Sequence, residues 1–253
     1  MLPHEIQFEH WPDRTTYDLS PRPIGKTWAC LLLACCLGGS ALAQASWQAA
    51  LDQMPLTAGT QRLDPTNCVE VMLNSFRSNQ VVKAIVFMPG ATDEFYMFRR
   101  ARAKLSQPSP TLLDAVSALT NQTLIQSTFR SPWLLLHTEE DLLETEPVIR
   151  DSATVERLKH TRFNPHLVCN DRDWDAIQPI FKWTLKVDVR PWRGSTDSWH
   201  FYRHSFAAWG LDGWEALETA ALAGRSRFTV SSKRVAFEVD SRNRAAPPGN
   251  PKR

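Results

Sequence analysis

The ten residues from Thr92 to Ala101 read TDEFYMFRRA, and those from Thr196 to Ser205 read TDSWHFYRHS. A gapless shift of 104 residues aligns them and continues downstream through Ala103/Ala207 and Leu113/Leu217. Arg99 falls on Arg203, and Phe95/Trp199, Phe98/Tyr202 and Asp114/Glu218 keep their chemistry. Internal self-similarity of this kind constrains the fold before any single element does, because the same small unit must then be built twice. The echo has a structural reading, in which Thr-Asp opens a strand, the aromatics fill a core and the arginine ends the strand. It also has a functional reading, a pair of equivalent surface sites at Asp93/Arg99 and Asp197/Arg203.

Hydrophobic periodicity gives the units their content. Asp64-Pro65 places proline in the first turn of a helix running through CVEVMLNSFRSN. VVKAIVFM is β-branched and apolar and stops at Pro89-Gly90, a strand ended by a turn. Leu112, Leu113, Val116 and Leu119 have helical spacing, and TLIQSTF and PWLLLHT follow as two strands. The second half repeats the order. RDWDAIQPIF is a short helix broken near Pro179, and Trp183, Leu185, Val187 and Val189 alternate with polar residues as a strand. WEALETAALAGR is a helix closed by Gly224, and RFTVSSKRVAFEV is a hairpin.

The expectation is an α+β fold of two similar helix–hairpin–helix–hairpin units, each an antiparallel sheet covered by helices. The units span 67–138 and 167–240. An N-terminal arm, 44–66, is interrupted by Pro55, Gly59 and Pro65. A helical connector, 139–166, begins at the acidic run EEDLLETE, and 241–253 is a basic Pro- and Gly-rich tail read as disordered.

Residues 1–43 have the pattern of a secretory leader. Arg22 and Lys26 precede the apolar run TWACLLLACCLGGSALA, which ends in an A-x-A site before Gln44. The acidic residues Glu5, Glu9, Asp13 and Asp18 do not suit a leader and fit an extension upstream of the true start. Export to the periplasm or beyond is therefore expected. The alternatives are a retained membrane anchor, for which the run is short, and a lipoprotein acylated at Cys35. Only Cys68 and Cys169 remain after cleavage; in an oxidising compartment they either pair or serve as two small buried hydrophobes.

Chemistry is sparse. His200 and His204 share a face of a helix or a strand, but HExxH is missing because position 201 is Phe, and zinc needs further ligands. His137 precedes Glu139, Glu140 and Asp141, an acid/base pair on one reading and a strand end with a solvated turn on the other. GxSxG, GxxxxGK[ST] and GxGxxG are absent, so no cofactor is expected. A formal charge of +2 makes no case for nucleic acid.

Tryptophan is concentrated instead. Trp174, Trp183, Trp192, Trp199, Trp209 and Trp214 are clustered in the second half. Trp183 and Trp214 read as core, whereas Trp192, in a turn between Arg190 and Arg193, reads as exposed. The helix-then-hairpin segments LLDAVSALTNQTLIQSTF and WEALETAALAGRSRFTVSSKRVAFEV resemble the small modules at the N-termini of secretins and TonB-dependent receptors. That resemblance rests on periodicity, without a motif, and implies protein partners at the envelope. The functional expectation is a non-enzymatic envelope protein that binds a protein or a wall glycan through Trp192 and Trp199, or through Asp93, Arg99, Asp197 and Arg203. The rival is a periplasmic hydrolase, zinc-dependent if His200 and His204 hold the metal.

Overall fold

The computed structural model describes residues 46–57, 59–88, 98, 100–138, 147–191 and 203–239. A helical segment, 46–52, comes first. It is followed by β1 (Arg62–Leu63), α1 (Cys68–Ser75), β2 (Ala84–Phe87), β3 (Ala103–Lys104), α2 (Leu112–Gln122) and the hairpin of β4 (Gln126–Arg130) and β5 (Trp133–His137). Next come β6 (Val148–Ile149), α3 (Ser152–His160) and β7 (Arg162–Phe163). The chain continues through β8 (Leu167–Arg172), α4 (Trp174–Leu185), β9 (Asp188–Pro191), β10 (His204–Ala208), β11 (Leu211–Asp212), α5 (Gly213–Ala223) and the hairpin of β12 (Ser226–Ser231) and β13 (Arg234–Val239).

Local chemistry accounts for the helix starts. Thr111 and Asp114 form a capping box at α2, and Asp212 and Glu215 form one at α5, each satisfying two N-terminal amides that the helix leaves unpaired. Asp173 caps α4 by accepting from the Ala176 N–H. Trp174, Ile177, Phe181 and Leu185 then make a buried stripe along that helix, and Lys186 ends it in the left-handed region at φ 53°. The alternation of Trp183, Leu185, Val187 and Val189 had read as one strand. Instead Trp183 and Leu185 belong to α4, and only Asp188–Pro191 is extended. The helical stripe outweighs the local alternation because it anchors the whole segment to the core.

Five strands in the order β4-β5-β2-β10-β8 form the central sheet, and β6-β12-β13-β9 form a second. The sheets are mixed rather than antiparallel. β2 runs parallel to β5 with Ala84 opposite Trp133, and β9 runs parallel to β13 with Val189 opposite Val235. A parallel pair needs a long crossover, and the helices supply it. Two short antiparallel pairs, β1–β3 and β7–β11, stand apart.

The core has two parts. Ile85, Phe87, Leu134 and Leu136 face α1, α2 and the 46–52 helix, where Trp47 and Leu51 are buried. Ala84, Val86, Trp133, Leu135 and Phe206 face α3, α4 and α5 on the opposite side, and Phe228, Val230, Val235 and Phe237 of the second sheet close that layer. An aromatic cluster fills it: Trp174 lies 4.7 Å from Phe237, and Phe228 lies 5.4 Å from Phe237 and 5.3 Å from Trp214. Polar ties join the layers. Lys83 Nζ donates to both carboxylate oxygens of Glu215 at 2.8 Å, and Trp133 Nε1 donates to Thr219 Oγ1 at 2.8 Å.

Cys68 and Cys169 are both free and buried. Of the two alternatives for these cysteines, the structure has the buried hydrophobes and not the disulfide, because Cys68 lies in the core of the α1 side and Cys169 in that of the α4 side, with the sheet between them. Burial pushes both thiols up to about 12.

Candidate binding cleft

The C-terminal half of α4 lies beside the start of β8, and a cleft of about 900 Å³ opens between them. Pro165 and Leu167 form one wall, and Pro179, Ile180 and Trp183 form the other. Trp183 is 75% exposed, although it belongs to a helix whose opposite face is core. Lys186 Nζ sits 4.7 Å from the centre of its ring, a cation–π contact that orients the indole. His166 adjoins the cleft and stacks on Trp209 at 4.9 Å, and Trp209 is itself 48% exposed. The aromatic edge thus runs from Trp209 through His166 to Trp183. Large apolar side chains exposed together, rather than singly, mark a binding surface.

Among the described residues, the charged side chains that line the cleft are Lys182 and Lys186. Desolvation, assisted by the positive charge of Arg77, lowers the His166 pKa. Lys182 also lies 4.0 Å from Asp188, at the range limit of an ion pair.

The sequence-nominated residues fall elsewhere. Arg203 Nη1 donates to the Asp171 carbonyl at 2.8 Å and meets its carboxylate at 3.4 Å, which fixes the irregularity where β8 meets β10. Its charge is used within the fold. His204 is fully buried, packed 5.6 Å from Trp174. The Arg172 backbone lies close enough to favour a proton on its ring without meeting hydrogen-bond geometry. Burial outweighs that influence and the nearby Asp173, and holds the ring down at about 4. Among the described residues no group of three or more potential ligands could hold a metal. His137 is buried with Nε2 2.9 Å from Thr128 Oγ1. Trp192, Trp199, Asp93, Arg99, Asp197 and His200 lie outside the described residues, as do Glu139, Glu140 and Asp141.

The sequence places Trp183 in the core and gives Trp209 no assignment of its own, whereas both are exposed, Trp183 because it lies on the outer face of a helix and not on a strand. The usable signal was the spacing of Trp174, Ile177, Phe181 and Leu185, which puts Trp183 off the buried stripe. No described helix is long and apolar enough to cross a membrane. Comparison with protein families, curated proteins and solved structures finds no match to this chain.

Proposed function

We propose that this chain is an exported, non-enzymatic binding module of the cell envelope, built from two similar α+β units, which holds its partner at the cleft between β8 and α4. The observation that carries the reading is the exposed aromatic edge beside an apolar cleft of the size that ligand sites occupy. Described histidines that had been candidates for catalysis are enclosed in the fold. Export rests on the leader-like pattern of residues 1–43.

The two-unit reading is supported by strand pairings that recur in chain order. β1 pairs β3 as β8 pairs β10, β2 pairs β5 as β9 pairs β13, and each unit closes on a hairpin. The first amide of α2 bonds the Met54 carbonyl at 2.8 Å, and the first amide of α5 bonds the Thr161 carbonyl at 2.7 Å. On this reading the 46–52 helix and α3 each open a unit, so α3 is not a connector.

The test uses purified full-length protein immobilised beside a Trp183→Ala/Trp209→Ala variant, each exposed to solubilised envelope proteins and to wall fragments. Partners held by the native protein and lost from the variant support the cleft. An identical set held with unchanged affinity refutes it.

A further inference from the structure

The cleft meets β8, an edge strand of its sheet, at Leu167, and the ladder shows which backbone groups that edge presents. The Met88 N–H bonds the Leu136 carbonyl, so alternate residues Ala84 and Val86 face β5, while Ile85 and Phe87 face β10. Opposite these, Ala207 and Ser205 bond β2. Phe206 and Ala208 are left to bond Cys169 and Leu167 of β8. Val168 stands between those two and turns its N–H and C=O to the other side. Among the described residues no strand pairs with β8 there.

We propose that β8 receives an extended acidic peptide segment of a partner protein as an added strand, anchored by alternate apolar side chains in the cleft. This rests on the cleft being the binding surface. Strand addition draws its affinity from main-chain bonds and its selectivity from side-chain pockets on alternate residues. Leu167 leads to the cleft wall, so every second residue of an added strand overhangs Ile180 and Trp183. Lys186, over the Trp183 ring, and Lys182, which meets Asp188 only at 4.0 Å, make the lining positive and select acidic residues on the segment. A glycan fits less well, because it has no regular row of N–H and C=O groups to match those of a strand edge.

The probe is a fluorescein-labelled peptide alternating valine and glutamate, about eight residues long to match a strand, followed by anisotropy against the full chain. Val168→Pro deletes the outward N–H and no bond to β10. Trp183→Ala and Lys182→Glu/Lys186→Glu alter exposed side chains only, and thermal melts confirm that each variant folds. The native chain should bind the peptide, and Val168→Pro and Trp183→Ala should each weaken it about tenfold or more. The double charge reversal should prefer a valine–lysine peptide. Three results overturn strand addition: no binding by the native chain, binding unchanged in Val168→Pro, or preference unchanged by charge reversal. If a chitin or muropeptide fragment binds instead and is lost in Trp183→Ala, the cleft reading stands and the peptide falls. If the Trp183/Trp209 variant also keeps every envelope partner, both fall.

Discussion

Acidification should destabilise this protein through one side chain. His204 is fully buried, confined by Trp174 on one side and by the backbone of Gly224 on the other. Its pKa is lowered from 6.5 to about 4, chiefly by desolvation of the charged ring. The unfolded chain therefore takes up a proton near pH 6.5 that the folded chain refuses until about pH 4. Stability rises with pH wherever the unfolded state binds more protons. The contribution of the neutral ring is complete above pH 6.5, declines through the window below it, and is exhausted under about pH 4. Each pKa unit is 1.36 kcal/mol, so a displacement of this size removes about 3 kcal/mol. That is a large share of the ~5–15 kcal/mol of a typical domain. Urea midpoints measured from pH 7 to pH 4 on the native chain and on His204→Leu give the comparison. Carboxylates titrate in both proteins, including Glu218, which burial raises to about 6 with the opposite effect on stability. The difference between the two slopes therefore isolates His204. The native chain should lose about 3 kcal/mol more than the variant across that range. Parallel curves would show that the ring is not enclosed as described.

Gly224→Ala probes the same enclosure sterically. Its new Cβ would lie 2.5 Å from His204 Nε2, so unfolding free energy should fall by about 1–3 kcal/mol, and less when His204→Ala has already made room. Leu51→Ala tests whether the 46–52 helix is integral to the core. Leu51 is fully buried, and its truncation should cost about 2–5 kcal/mol in chemical denaturation; a change within error would detach that helix from the fold. Cys68 and Cys169 should resist alkylation in the native protein at pH 8 and both react in guanidinium without reductant. Thiols that stay silent until reduced would mean a disulfide.

The sequence revealed elements more readily than their partners. VVKAIVFM, TLLDAVSALTNQ and the final hairpin all carry enough local periodicity to be read, and β2, α2 and β12–β13 occur where it placed them. Pairing direction was not local information. Nothing in PWLLLHT says that its neighbour will be β2 running parallel, because that follows from the crossover through α2. Trp183 was misread for a related reason. Period-2 alternation over a few residues competes with a 3.6 period that needs a longer window, and Pro179 disguised the helix. The cleft depends on that error, since only a helical Trp183 points away from the core. The echo itself is displaced by one residue within the strands. Gapless alignment puts Ala103 on Ala207. Yet Ala103 lies in the core beside α1 and α2 of its own half, while Ala207 faces that same core and not its own helices α4 and α5.

The two ends of the fold bear on where a partner can dock. In the proposed first unit, the outward face of β2 and β5 carries Ala84, Val86, Trp133 and Leu135, and α5 of the second half covers it. The corresponding face of β9, β12 and β13 carries Asp188, Arg190, Arg227, Thr229, Arg234 and Glu238. Asp188 pairs there with Arg190 at 2.6 Å and Arg234 at 3.4 Å, and these charges suit water rather than another layer of helices. Terminal repeats in a stack need such a polar outer face. The edge of β9 is closed as well. The Asp188 N–H bonds the Lys233 carbonyl, which turns Val189 outward, and there the Val189 carbonyl accepts from Gln178 Nε2. Pro191 has no N–H to offer. β2 uses the equivalent edge to hold β10, so the interaction that joins the two halves is blocked from extending to a further chain. Among the described residues β8 has neither device over Val168. A fold that blunts the β9 edge of one sheet with a proline and a side-chain cap, and leaves the β8 edge of the other unpaired beside an apolar cleft, favours strand addition at β8 over end-to-end assembly through β9.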